Sequence, residues 1–246
     1  DCGQVFRWER IGSGSDCTYR GFMLNTPLTV SAEKDYFRFH DTDEETFQKV
    51  WIPYFDLETD YTEIKERLSE DGTLAKACAY AGGIRLLRQD SWEALCSFII
   101  SQNNNIPRIK GIIGRLCDMY GGFPGFEQMK GIVTDDLAPL RAGFRAKYIT
   151  DCIEKLNSGK IVIDEVKKLP VDEARKVLMT IKGVGPKVAD CALLYGMYRI
   201  DCVPMDVWMK RVMEQFYHEG VPGFVLPYAG IAQQYLFHYM RTEIAK

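Results

Sequence analysis

The stretch that decides the fold is VDEARKVLMTIKGVGPKVADCALLYGMYRIDCVPMDVWMKR, residues 171–211. Apolar residues recur at helical spacing from position 172 to about 181, and Gly183-Val184-Gly185 then interrupts the pattern. A second helix is predicted from about Pro186 to Met197, because proline fits the first turn of a helix. Two helices joined by a Gly-x-Gly turn can clamp a DNA backbone: Gly183 and Gly185 let the main chain approach, and free N–H groups at the helix start receive a phosphate.

Two side chains in this stretch carry groups suited to catalysis. Lys187 lies in the first turn of the second helix, where an amine could attack C1′ of a nucleotide and form a Schiff base. Taken alone, such a lysine is more often a contact to phosphate or solvent. Asp206 follows an apolar turn and precedes a new helix, so it can cap that helix and also present a carboxylate to a developing sugar cation.

The sequence before residue 43 has a different texture. It is rich in β-formers and glycine, and YFRFH (36–40) alternates with period two, which predicts an antiparallel sheet. Helical periodicity follows from Asp43 onward. We therefore predict an α+β fold: a small N-terminal antiparallel β-sheet packed on a mostly helical body that contains the hairpin. We expect residues 1–80 to hold the sheet with some helices, and residues 81–246 to form the helical domain.

A triplet of asparagines separates two further predicted helices. Asp90 or Ser91 can cap the first helix, Asn103-Asn104-Asn105 break it, and Pro107 suits the first turn of the second. Because Asn is a poor helix former and a poor core residue, the arrangement is unusual. From these residues alone, a plain polar loop and a functional loop are equally good interpretations.

Composition excludes several classes of protein. The net charge of −3 has the wrong sign for bulk attraction to DNA, although the segment 85–115 is locally basic. The eight cysteines contain no C-x-x-C pair, which argues against a zinc site or a disulfide scaffold and favours a reducing, intracellular setting. Three histidines make a histidine-rich metal centre improbable, and no apolar run is long enough to predict a membrane span.

The motifs together resemble a known family. GVGPKVADC (183–191), followed by VPMD (203–206), resembles the helix-hairpin-helix DNA glycosylases whose lysine and aspartate make them combined glycosylases and lyases. The absence of a cysteine after Cys202 argues against the branches that carry an iron–sulfur cluster. The likeness is to the 8-oxoguanine DNA glycosylases, and it extends over nearly the whole chain through GQVFRW (3–8), GIRLLRQDSWEALCSFIISQNNNIPRI (83–109), GFRAKYI (143–149) and PYAGIAQQYLF (227–237).

This resemblance implies a pocket for an extruded base. Cys191 and Phe237 would sandwich the purine, and Gln233 would recognise its Watson–Crick edge. Cys191 follows Lys187 by one helical turn, so both lie on one face. The main-chain carbonyl of Gly3 would accept the N7 proton that 8-oxoguanine has and guanine lacks, since a mismatched buried polar pair is costly.

The resemblance also implies contacts to the rest of the duplex. Asn103 would fill the gap left by the base, and Phe144 would wedge beside the orphaned partner. Arg108 and Arg145 would donate hydrogen bonds to that partner, normally cytosine. The expected partner is therefore double-stranded DNA containing 8-oxoguanine opposite cytosine, bound by a monomer inside the cell, in the cytoplasm and nucleoid or in the nucleus.

Two positions depart from the family's eukaryotic members, and one further site is implied. Trp208 stands where those members have a histidine, and Met240 where they have an aspartate, so we expect a Trp–Met packing contact in place of a polar pair. The Trp208 indole remains a candidate DNA contact. No cofactor is required, but the hairpin carbonyls of Met179, Ile181 and Val184 match the positions that bind a structural monovalent cation.

Three alternatives compete with this interpretation. A glycosylase for another damaged purine would not need the Gly3 acceptor. A non-catalytic helix-hairpin-helix DNA-binding module would need none of Lys187, Asp206 and the Asn103 loop. A small-molecule enzyme with a Schiff-base lysine lacks support, because no barrel-like alternation of strands and helices is visible.

Overall fold

The N-terminal part of the protein is a four-stranded antiparallel sheet. The computed structural model describes residues 3–13 and 16–244. The strands are β1 Glu9–Arg10, β2 Thr18–Met23, β3 Thr26–Ala32 and β4 Phe37–His40, in spatial order β1-β2-β3-β4. In the β2–β3 hairpin Met23 pairs with Thr26 and Gly21 with Leu28. The sheet lies where the period-two pattern predicts it.

The rest of the described chain is mainly helical, which confirms the α+β class. The α-helices are α1 Glu44–Thr46, α2 Ile52–Tyr54, α3 Tyr61–Leu68, α4 Gly72–Tyr80, α5 Ser91–Ser101, α6 Ile106–Tyr120, α7 Arg145–Asn157, α8 Ile163–Val166, α9 Val171–Leu178, α10 Pro186–Cys191, α11 Val207–Phe216 and α12 Ala229–Tyr239. π-Helical turns join α1 to α2 and extend α10 over Ala192–Gly196 and α12 over Met240–Ile244. No helix among the described residues is long and apolar enough to cross a bilayer.

Local sequence explains where several helices begin and end. The Asp90 carboxylate accepts the Glu93 N–H at 2.8 Å and caps α5, and Asn105 caps α6 through the Arg108 N–H at 3.0 Å. The asparagine triplet therefore separates two helices as predicted. α9 ends at Leu178, three residues before the predicted Ile181, because the N–H groups of residues 180 and 181 close tight turns onto the carbonyls of residues 177 and 178.

Two apolar cores lie on either side of residues 84–90, a segment without regular secondary structure. The smaller core, beneath the sheet, is built around Leu28, Trp51 and Tyr54, and the larger one fills the helical body. Helices α3 and α4 bury their apolar faces in the larger core. A division of the chain after residue 80 stays a prediction.

We call residues 84–90 the central strip, because it connects both parts of the molecule. The Leu86 N–H donates to the Tyr61 hydroxyl on α3 at 2.9 Å, and the Tyr235 hydroxyl on α12 donates to the Ile84 carbonyl at 2.9 Å. The Gln89 N–H reaches the Tyr195 carbonyl, just after α10, at 3.4 Å. The strip thus fixes the positions of helices that carry the candidate site.

Candidate active site

The hairpin between α9 and α10 is anchored on α7. The Asp151 carboxylate accepts the Lys182 N–H at 2.7 Å, and the Lys155 ammonium donates both to Asp151 and to the Thr180 carbonyl at 2.6 Å. Burial opposes ionisation of Asp151, but these hydrogen bonds outweigh it and hold the pKa of its carboxyl below the ordinary value. The turn is therefore held in a fixed shape before any ligand arrives.

The two hairpin glycines have different surroundings. Gly183 has φ +76°, and a Cβ there would overlap the ring of Tyr148. Gly185 has φ −96°, caps α10, and faces open space, since a Cβ there would meet nothing within 4 Å. Gly183 is thus required by the fold, whereas Gly185 leaves the N–H groups at the start of α10 open to a ligand.

Lys187 and Asp206 both act on the thiol of Cys191. Burial raises the pKa of the Cys191 thiol to about 12, while the charge of Lys187 and its hydrogen bond lower it and the charges of Asp190 and Asp206 raise it further. The Lys187 ammonium is exposed and lies 5.8 Å from the centroid of the Phe98 ring. The fold therefore brings together three groups that the sequence separates by as many as 19 positions.

Asp206 has the structural role expected of it. Its carboxylate accepts the Met209 N–H at 2.8 Å and caps α11. The side chain is half-buried, and the residues before it form the apolar turn through Pro204. The cap fixes the orientation of the carboxylate, whose charge acts on the Cys191 thiol.

Two of the predicted base-pocket residues, Gly3 and Phe237, lie against each other, and Gln233 bonds to neighbours outside the predicted set. Gly3 has φ +77°, and a Cβ at Gly3 would lie 3.8 Å from the ring of Phe237. Gln233 is buried on α12, and its side-chain oxygen accepts from Gln234 at 2.6 Å and from the Tyr195 hydroxyl at 3.5 Å. Tyr195 follows Cys191 by four residues, so this network links α12 to the helix that carries Lys187.

Phe144, the predicted DNA wedge, lies at the start of α7, the helix whose Asp151 and Lys155 hold the hairpin. Phe144 is 47% exposed, and its ring makes an edge contact with Tyr148 at 5.6 Å. Tyr148 in turn packs against Gly183. An unbroken line of contacts therefore runs from the predicted wedge to the hairpin.

Arg145 lies in an environment that the sequence does not predict. It is 1% exposed, and its guanidinium donates to the carbonyls of Gln102 and, at 2.7 Å, of Asn103. Asn103 itself is exposed with φ +45°, and Arg108 is exposed nearby. Arg145 thus supports the Asn103 turn, and its contact with an orphaned base stays a prediction.

The remaining predicted positions are placed as follows. Trp208 is half-buried, with the Arg211 guanidinium 4.9 Å from its ring, and Met240 is buried at the end of α12. A Trp208–Met240 contact stays a prediction. The Ile181 carbonyl accepts the Val184 N–H at 3.0 Å within the hairpin turn. Within residues 3–13 and 16–244, no cluster of acidic, histidine or cysteine side chains is arranged to hold a metal.

Sequence reasoning missed several polar residues around this site. Gln4, Asp56 and Gln234 are all buried and hydrogen-bonded to residues far away in the chain. A lone Gln or Asp in a half-polar stretch gives no signal of burial, because its partners are set only by the tertiary fold. Gln234 is the exception, since a Gln-Gln pair inside an apolar helix is unusual.

Several cations on this side of the molecule make no ion pair, although Lys155 beside the hairpin pairs with Asp151. Within the described ranges, four cations around the Asn103 turn, Phe144 and the hairpin have no carboxylate partner: Arg108, Arg141, Lys147 and Lys182. Many cations elsewhere pair with a nearby acid, for example Lys49 with Glu45 and Arg67 with Glu70. A net negative protein can therefore present a locally positive face.

The fold and site define a helix-hairpin-helix protein with a lysine and an aspartate whose charges both act on the buried thiol of Cys191. Residues 96–220 match the HhH-GPD superfamily of base excision DNA repair proteins, and residues 1–95 match the N-terminal domain of 8-oxoguanine DNA glycosylases. An N-glycosylase/DNA lyase of Saccharomyces cerevisiae is 34% identical over 205 residues, covering 74% of this chain and 50% of the yeast protein. The chain thus spans half the length of that relative.

Two solved structures share the whole architecture. MBOgg1, described in complex with a low-affinity DNA ligand, is 40% identical with a TM-score of 0.89, covering 100% of this chain and 91% of that chain. The 8-oxoguanine glycosylase/lyase of Clostridium acetobutylicum, in complex with DNA containing cytosine opposite 8-oxoguanine, is 36% identical with a TM-score of 0.86, covering 98% and 89%. The chain belongs to the 8-oxoguanine DNA glycosylase family within the HhH-GPD superfamily.

Proposed function

We propose that this protein is a bifunctional DNA glycosylase and lyase that excises 8-oxoguanine from duplex DNA. The observation that carries the proposal is that Lys187, on the helix that follows the hairpin, hydrogen-bonds the Cys191 thiol, on which the charge of Asp206 also acts. The Clostridium neighbour binds DNA that carries cytosine opposite 8-oxoguanine, which supports the same lesion and the same opposite base here.

Base recognition would use the four pocket residues. Cys191 and Phe237 would provide two apolar surfaces that take an extruded purine between them, and Gln233 on α12 would contact its edge. The Gly3 carbonyl would accept the N7 proton of 8-oxoguanine. Guanine would place a lone pair against that carbonyl and so be rejected.

Chemistry would proceed at C1′ of the extruded nucleotide. The Lys187 amine attacks C1′, and the bond between C1′ and the base breaks with its electron pair leaving on the base. The Asp206 carboxylate stabilises the positive charge that develops on the sugar. The attached nitrogen then passes one proton to the departed base. The C1′–O4′ bond breaks with its electron pair on O4′, which takes up a proton from water, and the nitrogen lone pair forms the protonated Schiff base with C1′. Loss of a proton from C2′ with cleavage of the C3′–O bond nicks the strand 3′ to the lesion.

Contacts to the duplex would come from the Asn103 turn, Phe144 and the hairpin. Asn103 would fill the gap, Phe144 would stack beside the orphaned cytosine, and Arg108 and Arg145 would donate to it. The N–H groups at Gly185 and the start of α10 would bind a phosphate, and Trp208 would lie near the flipped nucleotide.

The hairpin would also hold a structural monovalent cation. Main-chain carbonyls replace the hydration shell of such ions well, and Met179, Ile181 and Val184 offer three carbonyls within one turn. The ion would connect the hairpin to a DNA phosphate and take no part in the chemistry. We further propose that the enzyme acts on DNA inside the cell as a monomer.

Borohydride trapping on a duplex with 8-oxoguanine opposite cytosine tests this function. The wild type should form a covalent complex with the DNA, because borohydride reduces the Schiff base to a stable amine. Lys187→Gln should form none while it still binds the lesion. Lys176→Gln, which removes the same charge from an exposed position on α9, is the matched control and should trap as the wild type does.

Three results would contradict the proposal, in whole or in part. Trapping by Lys187→Gln would remove the lysine from the mechanism. Tight binding without an adduct in the wild type would favour a non-catalytic DNA-binding module. An adduct on another damaged purine but not on 8-oxoguanine would retain the chemistry and change the substrate.

A further inference from the structure

Gln4 follows Gly3, whose carbonyl is predicted to accept the N7 proton of the base, and Gln4 is itself buried, at 2% exposure. Its side-chain amide pairs with the main chain of the central strip. Nε2 donates to the Arg85 carbonyl at 2.9 Å, and Oε1 accepts the Leu87 N–H at 2.9 Å. One side chain thus imitates the paired hydrogen bonds of a neighbouring strand.

The main chain of Gln4 is held from a second direction. The Gln89 side chain donates to the Gln4 carbonyl at 2.8 Å. The Gly3 carbonyl belongs to the peptide group that ends at the Gln4 nitrogen, so fixing Gln4 on both sides limits how that carbonyl can turn. On its other side Gly3 has φ +77° and lies against Phe237.

The same strip holds the other walls of the pocket. The Tyr235 hydroxyl, two residues before Phe237 on α12, bonds to the Ile84 carbonyl, and the Gln89 N–H bonds to the Tyr195 carbonyl after α10. The position of Gly3 relative to Phe237 and Cys191 therefore depends on the bonds that tie Gln4 to the strip.

From this geometry we propose that Gln4 is a positioning residue that sets selectivity for 8-oxoguanine by aiming the Gly3 carbonyl. The inference rests on the proposed function. Hydrogen bonds weaken steeply with distance and angle, so a carbonyl that is free to turn would discriminate poorly between a purine with an N7 proton and one without.

The test separates base recognition from chemistry. Single-turnover excision of 8-oxoguanine opposite cytosine requires both, whereas cleavage of a preformed abasic site in the same duplex requires Lys187 and no base recognition. Gln4→Met has a similar volume and neither hydrogen bond. Excision should slow about tenfold, the loss expected when one buried hydrogen bond, that between the Gly3 carbonyl and the N7 proton, is no longer made. Cleavage of the abasic site should stay within about twofold of the wild type.

Gln4→Glu provides a rescue. A protonated carboxyl can donate to the Arg85 carbonyl and accept the Leu87 N–H, but a carboxylate cannot donate. The ratio of excision to abasic-site cleavage, divided by the wild-type ratio at each pH, should therefore recover as the pH is lowered. The same normalised ratio for Gln4→Met should stay constant.

Asn25 offers a matched control. Its side-chain amide makes the same two-bond contact with the Phe123 main chain, at 3.2 and 2.7 Å, from the β2–β3 turn. Asn25→Leu should lower the melting temperature without changing the ratio of the two reactions. Equal losses in both reactions for Gln4→Met, or an altered ratio for Asn25→Leu, would overturn the inference. Absence of both reactions in the wild type would instead overturn the proposed function.

Discussion

Two regions of the molecule treat charge in opposite ways. At the joint between the sheet and the helical body, Asp56 is buried and accepts hydrogen bonds from Arg88 at 2.8 Å, from the Tyr61 hydroxyl at 2.9 Å and from the Tyr198 hydroxyl at 2.6 Å. At the edge formed by the Asn103 turn, Phe144 and the hairpin, exposed cations that make no ion pair lie near an exposed aromatic ring. The joint is arranged for stability, and the edge is arranged for a partner that supplies negative charge.

This difference accounts for a net charge that argues against DNA binding. Surface ion pairs neutralise cations away from the edge, and such pairs contribute little to stability. Cations without a carboxylate partner keep their full field. The distribution of partners therefore matters more for DNA binding than the sum of −3.

The largest effect is expected when the Asp56 carboxylate at the joint is removed. Asp56→Ala leaves the buried Tyr61 hydroxyl, the half-buried Tyr198 hydroxyl and Arg88 without their acceptor, so the free energy of unfolding should fall by about 4 kcal/mol. Urea denaturation measures it. Asp60→Ala removes only the exposed cap of α3 and should cost about 1 kcal/mol. Equal losses for the two variants would mean that the Asp56 contacts do not hold the joint together.

A second acid, Glu93, is largely buried on α5. The Glu93 carboxylate lies 3.1 Å from Arg7, yet burial outweighs that pairing and raises the pKa of Glu93 from 4.5 to about 7. Between these values the folded protein keeps a proton that the unfolded chain has released. The free energy of unfolding should therefore fall as the pH rises through this window, by on the order of 3 kcal/mol.

Glu93→Gln should remove that part of the pH dependence. Urea denaturation of both proteins from pH 4.5 to 7.5 gives the difference, which also cancels the opposing contribution of His238, whose pKa burial lowers. Glu66→Gln, exposed on α3, should keep the wild-type slope. Identical slopes in Glu93→Gln and the wild type would show that Arg7 keeps Glu93 ionised.

Local features of this protein could be predicted because their causes are local. A capping carboxylate at Asp90, an asparagine break before Ile106 and a Gly-x-Gly turn each act on main-chain groups within a few residues. The alternation of YFRFH likewise specifies a strand on its own. Helix ends were less accurate, since tight turns shorten α9 at Leu178.

Long-range partners could not be predicted for the same reason. Arg145 is a basic residue in a polar stretch, and only the folded chain shows its guanidinium bound to the Gln102 and Asn103 carbonyls 43 and 42 residues away. Gln4 lies 81 residues from Arg85, and Asp56 lies 142 from Tyr198. The roles of the pocket residues came from the family resemblance, because neither spacing nor composition specifies a substrate.

The two hairpin glycines separate a structural role from an expected DNA-binding role within one motif. Gly183→Ala combines a positive φ with a clash against Tyr148, so it should lower the free energy of unfolding by about 2 kcal/mol. Gly185→Ala meets no neighbour and should change stability by less than about 0.5 kcal/mol, but its methyl group would obstruct a phosphate. Urea denaturation and DNA titration of both variants measure the two effects. Comparable stability losses would show that the whole hairpin is structural.

The smallest effect concerns the unpaired lysines at the edge. If Lys147 and Lys182 each contact a phosphate, replacing either by Gln should reduce the slope of log K against log salt by about 0.9, since each contact releases condensed counterions. Lys34→Gln removes the same charge from the sheet side and should lower affinity slightly while keeping the slope. A net charge effect would act through the field of the whole protein and so alter all three variants alike. Phosphate contacts confined to the edge would instead lower the slope for Lys147→Gln and Lys182→Gln and leave it unchanged for Lys34→Gln.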